Sequence, residues 1–580
     1  MTSSPQRAES LSKKEDLGDS TSSSEKVPTS TLKDLEYSRD VSDQRTDQGP
    51  GVGEARVAKV DGNGRAIHTI RGMKPRHLQL MAIGGTIGTG LFVGTGGALI
   101  DSGPLSLLLG FILYSGMVWC VSQCTGEITT MLPLEGGFTH HSGRFVDPAV
   151  GFAQSWNYVY GTMTFLCAEL SAISGLFSYW APEVSPAVWI SIGLVVIFTM
   201  NCMGSRVYGE CEFWFASFKV ILILGLIMMT FIMMVGGNPQ HEAFGFTYWR
   251  NPGPMAEFIE TGPLGRFLGL WNTLIFAAFA IGGPEYISIA AGEAINPREV
   301  IPKAIRRVFW RLCFFYIVGA LCVGILVAYN DPALIAATSE GKGAAASPFV
   351  VALKNRGIGG LDHLINALIL TSAWSCGSSF TFCGVRGLHS MSLDGRAPKI
   401  FSRTIGGTPI FALLFMCSVG LLSFMVVDQG SAKVFSWFVN LSACSSLLNY
   451  ILIIITWLRF NEGLKAQGIP RSSLPFRGLF MPYSAWISLV GMTLITLFNG
   501  FEIFIHGHWD LQGFFTAYFG LGLFLVLFVG WKLVKRTSFI KPSEMDFHSG
   551  KAEIDLDQAY WEANKVAPTT AWQKFVEWLL

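Results

Sequence analysis

Long apolar stretches recur along most of this sequence and constrain its fold more than any other feature. A helix needs about 20 apolar residues to cross the hydrocarbon core of a bilayer. The sequence therefore predicts an all-α membrane protein with twelve transmembrane helices. These predicted spans 1 to 12 cover residues 78–99, 104–131, 151–180, 186–204, 212–236, 267–291, 308–329, 362–392, 409–427, 434–459, 483–505 and 513–533.

Charged residues are scarce, as expected for a chain that lies mostly in lipid. They make up 14% of the 580 residues, against about 25% in an ordinary soluble domain. The net charge of +1 gives no reason to expect a nucleic-acid partner. The 11 cysteines are scattered, mostly within apolar spans, which is typical of buried thiols. We therefore expect a lipid bilayer as surroundings, and neither a metal nor a cofactor.

Three regions follow from the composition. Residues 1–74 are rich in Ser, Asp, Glu and Lys without an apolar signal, which predicts a disordered cytoplasmic N-tail. Residues 75–535 form the predicted twelve-span transporter domain, and 536–580 a cytoplasmic C-tail that is either an amphipathic helix or disordered. The predicted inner loops hold twelve Lys and Arg and the outer loops six, which places both termini inside.

Predicted span 1 contains seven glycines within the fifteen residues from Ile83 to Gly97. Glycine is unfavourable inside a helix, so this density indicates a deliberate break. Irregular backbone at membrane depth is tolerated where it is buried in protein or lines a cavity, and in transporters it points to the substrate site. Close helix packing is the alternative, because Gly84 with Gly88 and Gly90 with Gly94 form GxxxG pairs.

Predicted span 6 carries a second break signal, Gly282-Gly283-Pro284. Proline removes a hydrogen bond and disturbs the preceding turn. Two interrupted helices five spans apart suggest a five-plus-five inverted repeat with broken helices 1 and 6, followed by two further helices. The free N–H groups of one half-helix suit a carboxylate, and the unwound carbonyls of the other suit an ammonium group. Such a pair would hold a zwitterion.

Ionisable residues within predicted spans are costly and are functional candidates by default, and four of them stand out. Glu127 lies near the inner end of span 2, where closing a loop and gating are equally plausible roles. Glu169 lies mid-span 3 and could exchange a proton or make a fixed hydrogen bond between helices. Glu285 follows the break in span 6. Lys219 in span 5 either extends to the inner surface or donates to the span 1 carbonyls, in place of a sodium ion.

Several motifs resemble the fungal amino-acid permeases of the amino acid–polyamine–organocation superfamily. The resemblance covers about residues 72 to 540, and in residues 330–332, 347–350 and 370–374 the chain is most similar to the proline permease branch. The motifs are Gly84-Gly-Thr-Ile-Gly-Thr-Gly-Leu-Phe92, Gly126-Glu127, Gly143-Arg-Phe-Val-Asp-Pro-Ala-Val-Gly-Phe152, Trp156-Asn157-Tyr158, Tyr208-Gly-Glu-Cys-Glu-Phe-Trp214 and Leu393-Asp-Gly-Arg-Ala-Pro-Lys399.

The resemblance implies proton-coupled uptake of amino acids at the plasma membrane, with proline or another neutral amino acid as substrate. It places the substrate carboxylate at span 1 and an aromatic gate, Phe279, in span 6, and it makes Lys219 the sodium-replacing lysine. The implied substrate-binding residues are Thr86, Gly88, Thr89, Gly90, Glu169, Phe279, Ala280 and Gly283. The implied residues for proton coupling or gating are Glu169, Lys219, Glu285 and Glu127.

The sequence departs from the family pattern in two places. Ile281 replaces a second phenylalanine beside Ala280, which predicts an altered gate. The loop after span 2 reads Leu134-Glu135-Gly136-Gly137-Phe138, with a carboxylate that the family pattern lacks.

Alternative functions remain open at this point. Permeases of broad or acidic specificity share these motifs, and so do amino-acid sensors that bind without transporting. An enzyme is not expected, because the sequence has no GxxxxGK[ST], HExxH or nucleophile-elbow motif. Lys13, Lys14, Lys26 and Lys33 of the N-tail suggest ubiquitin ligase machinery as a further partner, against a simple spacer.

Overall fold

The computed structural model describes residues 84–134, 136–294, 296–339, 347–405 and 407–563. Apart from one isolated β-bridge between Ile405 and Thr408, the regular structure of these residues is helical. The predicted all-α class is therefore confirmed. The predicted N-tail and its four lysines, Glu135 and the last 17 residues lie outside the described ranges.

Besides helices such as Gly137–Phe145, Pro332–Ser339 and Pro348–Asn355, the described residues hold the helical segments labelled α1 to α12. They are α1 (Thr95–Met131), α2 (Pro148–Phe177), α3 (Pro186–Cys202), α4 (Gly204–Met234), α5 (Gly262–Ala280), α6 (Pro284–Ala290), α7 (Pro297–Leu326), α8 (Leu361–Leu393), α9 (Ile410–Gly420), α10 (Ser431–Ala466), α11 (Tyr483–Leu497) and α12 (Leu511–Lys535).

Among the described residues, nine helices are long and apolar enough to cross a membrane, and α3 and α11 are shorter apolar helices. The first of the nine, Gly90–Met131, joins the C-terminal part of predicted span 1 to predicted span 2, which are separate spans in the sequence prediction. Gly103, at φ 78°, breaks α1 between them, just before Pro104. The loop before α5 pairs with the freed backbone groups, since Ala256 N donates to Ser102 O at 3.0 Å and Leu105 N donates to Pro254 O at 2.8 Å.

The centre of the molecule is built from α2, α8 and α10. Their most apolar segments are 83%, 83% and 78% buried within the protein, against 17% for α12. The outward side of α12 presents exposed Val526, Leu533 and Val534, as expected for a surface that faces lipid. The polar site described below lies against the central helices.

The chain after α12 packs on the C-terminal part of α10 and on Phe145. Met545 and Phe547 are buried, and Arg144 donates from Nε to the Asp546 carbonyl at 2.7 Å. A helix then runs from Lys551 to Ala563 with Ile554 buried. Of the two alternatives for this part of the C-tail, the structure therefore has the helix.

Candidate functional site

The glycine run interrupts the first helix in the way that its composition predicted. Residues 84–86 are helical, residues 87 and 88 form a bend, and Gly90–Gly94 is a π-helical turn before α1 continues. Wide π-turns occur mostly as local interruptions of α-helices, often at functional sites. The break and the close packing considered above are both present, because small glycines let neighbouring helices approach the irregular backbone.

Four successive carbonyl groups before the break accept hydrogen bonds from side chains of other helices. Lys219 of α4 donates to Gly84 O. Tyr316 of α7 donates to Thr86 O at 2.6 Å. From α8, Cys376 donates to Gly85 O at 3.1 Å and Ser372 to Ile87 O at 3.2 Å. Buried carbonyls need partners, so this side-chain set stabilises the interrupted helix.

The second break lies between α5 and α6. Ile281 is extended, and Gly283 has φ 139°, a conformation that side-chain-bearing residues rarely adopt. Pro284 then begins α6 in its first turn, where no backbone N–H is needed. Glu285 stabilises the N-terminus of α6, because its Oε2 accepts hydrogen bonds from Gly283 N at 3.1 Å and from Tyr450 Oη at 2.8 Å.

The two breaks touch each other. A Cβ on Gly90 would lie 3.2 Å from both Ala280 Cα and Phe279 Cε1. The Thr86 side chain faces the other side of the second break, where its Cγ2 would lie 3.5 Å from a Cβ on Gly282. The structure therefore brings Thr86, Gly90, Phe279, Ala280 and Gly283 together.

Phe279 is part of a buried aromatic stack. Its ring centroid lies 5.2 Å from that of Phe165 in α2, which stacks at 4.1 Å on Phe380 in α8. Phe435 of α10 meets Phe279 edge-on at 5.8 Å. The Phe279 ring thus contacts α2 and α10 directly, and α8 is joined to it through Phe165.

Glu169 reaches the first break from α2. It is 1% exposed, and its Oε1 accepts from Thr89 N at 3.4 Å. Its Oε2 has no hydrogen-bond partner within the described chain. A Cβ on Gly88 would lie 2.5 Å from Glu169 Oε1, so the carboxyl group lies directly against the backbone. A carboxylate already occupies the amide that the sequence analysis assigned to the substrate.

Lys219 is accompanied by a carboxylate that the sequence analysis did not single out. Glu212 lies seven residues before Lys219 in α4, two turns along the same face. It is 1% exposed, and Ser375 Oγ lies 2.9 Å from each of its oxygens. Its signal in the sequence is this seven-residue spacing from the one lysine of predicted span 5.

Two tyrosines of the site were also not identified from the sequence. Tyr316 and Tyr450 read as ordinary aromatic residues of apolar spans, yet their hydroxyls bind the two breaks. Nothing local in the sequence marks them, because their partners are 230 and 165 residues away.

Glu127 lies apart from these residues, at the inner end of α1. Its carboxylate accepts from Trp457 Nε1 at 2.7 Å, from Gly478 N at 2.7 Å and from Arg471. These three donors belong to α10 and to the loop that follows it. Of the two roles considered, the contacts are those of a loop anchor.

A small cavity borders the second break. Its wall includes Glu285 and Asn449, whose Oδ1 has no hydrogen-bond partner in the described part of the chain. The remaining lining residues, from α2, α6, α8 and α10, are Tyr158, Gly161, Thr162, Phe165, Tyr286, Phe380, Ser445, Ser446 and Tyr450.

Several fungal permeases are similar to this chain over most of its length. The proline-specific permease of Emericella nidulans is 44% identical over 492 residues, which cover 84% of this chain and 89% of that protein. The proline-specific permease of Saccharomyces cerevisiae is 40% identical, with 90% and 85% covered. The dicarboxylic amino acid permease of the same yeast is 37% identical, with 90% and 87% covered.

A solved structure shares the fold. The manganese transporter of Eremococcus coleocola superposes with a TM-score of 0.51 over 84% of this chain and 99% of that one, at 13% identity. The sequence model of the amino acid permease family matches residues 77–542. With two abutting helix breaks and this match over most of its length, the chain belongs to the amino acid permease family, a family of membrane transporters.

Proposed function

We propose that this chain is a proton-coupled secondary active importer of amino acids across the plasma membrane. The observation that carries the proposal is the carboxyl group of Glu169 on the amide of Thr89, inside the break of the first helix. A transporter driven by protons needs a group whose protonation changes the affinity for the substrate. Glu169 lies at a position where its protonation can change the affinity for the substrate.

Substrate binding follows from the two breaks. The amides around Thr89 and Gly90 suit the carboxylate of an amino acid. The last carbonyls of α5, near Phe279 and Ala280, lack partners along their own helix and suit its ammonium group. No covalent step is involved, and the proton gradient supplies the driving force.

Proton coupling arises from competition for one amide. While Glu169 is ionised, its carboxylate occupies Thr89 N and repels the carboxylate of the substrate. A proton on Glu169 removes this charge and frees the amide. Proton and substrate then bind together, and by linkage each raises the affinity for the other to the same extent.

The twelve-span architecture is supported by the helices themselves. Nine long apolar helices, the division of the first at Gly103 and the two shorter apolar helices account for twelve crossings. The breaks in the first and sixth crossings match a five-plus-five inverted repeat. With both termini cytoplasmic, the cavity beside Glu285 lies on the inner side of Phe279, where released substrate would leave.

Proline or another neutral amino acid is the proposed substrate. The relatives that point to it are the two proline-specific permeases. The charges agree, because Glu285 borders the second break and, when ionised, would repel an anionic side chain. This argues against the acidic alternative that the dicarboxylic amino acid permease represents.

Uptake of radiolabelled proline into cells that express the chain tests the proposal, with and without a protonophore. We expect concentrative uptake that collapses when the proton gradient is removed, and competition by neutral rather than acidic amino acids. Uptake unaffected by the protonophore would contradict proton coupling. Binding without flux in reconstituted vesicles would instead indicate an amino-acid sensor.

The N-tail lysines are the proposed targets of ubiquitin ligase machinery. Arginine substitution of Lys13, Lys14, Lys26 and Lys33 should slow removal from the cell surface after ammonium is added. Surface immunolabelling over time measures this, and unchanged turnover would contradict the assignment.

A further inference from the structure

Glu212 lies on the side of the first break opposite to Glu169. Its Oε1 is in contact with the position that a Cβ on Gly84 would take, and Gly84 O is the acceptor of Lys219. Glu212 and Lys219 therefore meet at the same backbone residue from one helix. They also interact electrostatically, although their closest charged atoms are not within ion-pair distance in the described structure.

The charges around the break do not balance when both carboxylates are ionised. Glu169, Glu212 and Lys219 are each 2% exposed or less, and two negative groups face one positive group. A net charge buried at membrane depth is costly. Exactly one proton on the pair of carboxylates makes the three groups neutral.

The hydrogen bonds distinguish the two carboxylates. Both oxygens of Glu212 are within 2.9 Å of the Ser375 hydroxyl, whereas Glu169 Oε2 has no partner in the described chain. Hydrogen bonds to a carboxylate favour its ionised form. The Ser375 hydroxyl can thus donate to either oxygen of Glu212, whereas Glu169 keeps one oxygen, Oε2, available for a proton.

We propose that Glu212 is the counter-ion of Lys219 and thereby a positioning residue for proton coupling: by neutralising the lysine, it leaves Glu169 as the carboxylate that must take up a proton. This inference rests on the proposed function and adds a residue to its mechanism. Glu212 touches neither the proton that is carried nor the substrate. It acts through the charge of Lys219.

Other titratable groups face this set. Tyr208 of α4 and Cys383 of α8 interact with Glu212, and Tyr316 of α7 faces Glu169. Lys219 of α4 and Cys376 of α8 interact with both carboxyl groups. Glu285 has donors of its own in Gly283 N and Tyr450 Oη. Lys219 is the positively charged group among these residues, so the carboxylate that pairs with it determines their net charge.

The test is the pH profile of proline binding to purified protein. Glu212→Gln leaves Lys219 with Glu169 as its remaining carboxylate, which stays ionised to lower pH. The midpoint of proline binding should shift down by about 1 to 3 pH units, the effect of an opposite charge on a neighbouring carboxyl group. Lys219→Gln should shift the midpoint in the opposite direction.

The double variant Glu212→Gln/Lys219→Gln restores the balance of charges and should return the midpoint to near its wild-type value. A merely structural role of Glu212 would not be rescued in this way. An unshifted Glu212→Gln profile, or a double variant that keeps the single variant's shift, would overturn the assignment. If Glu212→Gln does not fold, an unshifted or downward-shifted Lys219→Gln midpoint overturns it.

Different results would contradict the proposed function and the role of Glu212. A flat wild-type pH profile would overturn both the proton-coupled function and the role of Glu212. If the wild-type affinity for proline depends on pH but the midpoints of the variants are unshifted, only the role of Glu212 is overturned.

Discussion

Gly88 has no room for a side chain. A Cβ there would lie 2.5 Å from both Cys376 Sγ and Glu169 Oε1. Overpacking of this kind costs about 1 to 3 kcal/mol, and each 1.4 kcal/mol is about tenfold in affinity. We expect Gly88→Ala to weaken proline binding by about 10- to 100-fold at normal surface expression, measured by saturation binding.

Gly97→Ala is the matched control in the same glycine run. The nearest atom to its Cβ would be Thr338 Cγ2 at 3.7 Å, an ordinary contact. Its proline affinity should therefore equal that of the wild type. Equal losses in both variants would show that the run tolerates no side chain anywhere, and that Gly88 has no special place.

Some residues of the candidate site could be predicted from the sequence, and others could not. Buried charges in apolar spans are conspicuous, so Glu169, Lys219 and Glu285 stood out in the sequence. Glu212 did not, because Glu210 lies beside it and the sequence alone does not tell which of the two faces the protein interior. Ser375, its hydrogen-bond partner, is 163 residues away.

The loop between α10 and α11 depends on Glu127. Glu127→Ala would leave Trp457 Nε1, Gly478 N and Arg471 without their acceptor. Breaking such a pair costs about 3 kcal/mol, the lower end of the range for buried pairs, because Arg471 is partly exposed. The free energy of unfolding should fall by this amount in thermal denaturation of the detergent-solubilised protein, with the pH profile of proline binding unchanged.

Glu462→Ala provides the comparison for Glu127. This carboxylate makes a more exposed ion pair with Arg459, which is worth about 0 to 1 kcal/mol. Its removal should leave stability nearly unchanged. Wild-type stability of Glu127→Ala together with an altered pH profile would instead favour the gating role.

Local chemistry made the broken helices predictable. Glycine density marked the first break and Gly-Gly-Pro the second, and both are present. The joining of predicted spans 1 and 2 was not predictable in detail. Gly103 makes the turn because the outer loop, some 150 residues later, supplies Ala256 N and Pro254 O as partners for Ser102 O and Leu105 N.

The docked C-tail links distant parts of the molecule. Phe547 is 1% exposed, and its ring lies 5.4 Å from that of Phe145 and 5.6 Å from that of Phe460. Replacing a buried phenylalanine by alanine costs about 3 to 5 kcal/mol. We expect Phe547→Ala to release this segment, so that trypsin cleaves faster after Lys551. Phe539→Ala, which replaces a 57% exposed residue, should be cleaved at the wild-type rate. Equal protection of all three proteins from trypsin would contradict the docking.

Asp546 makes this docking sensitive to acid. Burial opposes its charge, but hydrogen bonds from Ser549 and from the His548 amide, together with Arg144, outweigh burial and lower the pKa from 3.8 to about 2. Because the pKa is lower in the docked state, the ionised form stabilises docking above pH 3.8, and this contribution is lost as the pH falls towards 2. Pepsin cleavage of the segment should accelerate between pH 4 and pH 2, and less so in Asp546→Asn.

The apolar spans and the scarcity of charge were enough to predict a polytopic membrane protein. The sequence could not settle whether the C-tail forms a helix, because the groups that hold it, such as Arg144 and Phe460, belong to elements far along the chain. Its apolar residues gain a partner surface only when the helices have assembled.

The central claim is that a proton on Glu169 frees the Thr89 amide for the carboxylate of the substrate. The direct measurement is equilibrium binding of labelled proline to purified wild-type and Glu169→Gln protein between pH 5 and pH 8. The wild-type affinity should fall as the pH rises, approaching tenfold per pH unit for one linked proton, whereas Glu169→Gln should bind with an affinity independent of pH. A Glu169→Gln profile as steep as that of the wild type would contradict the account.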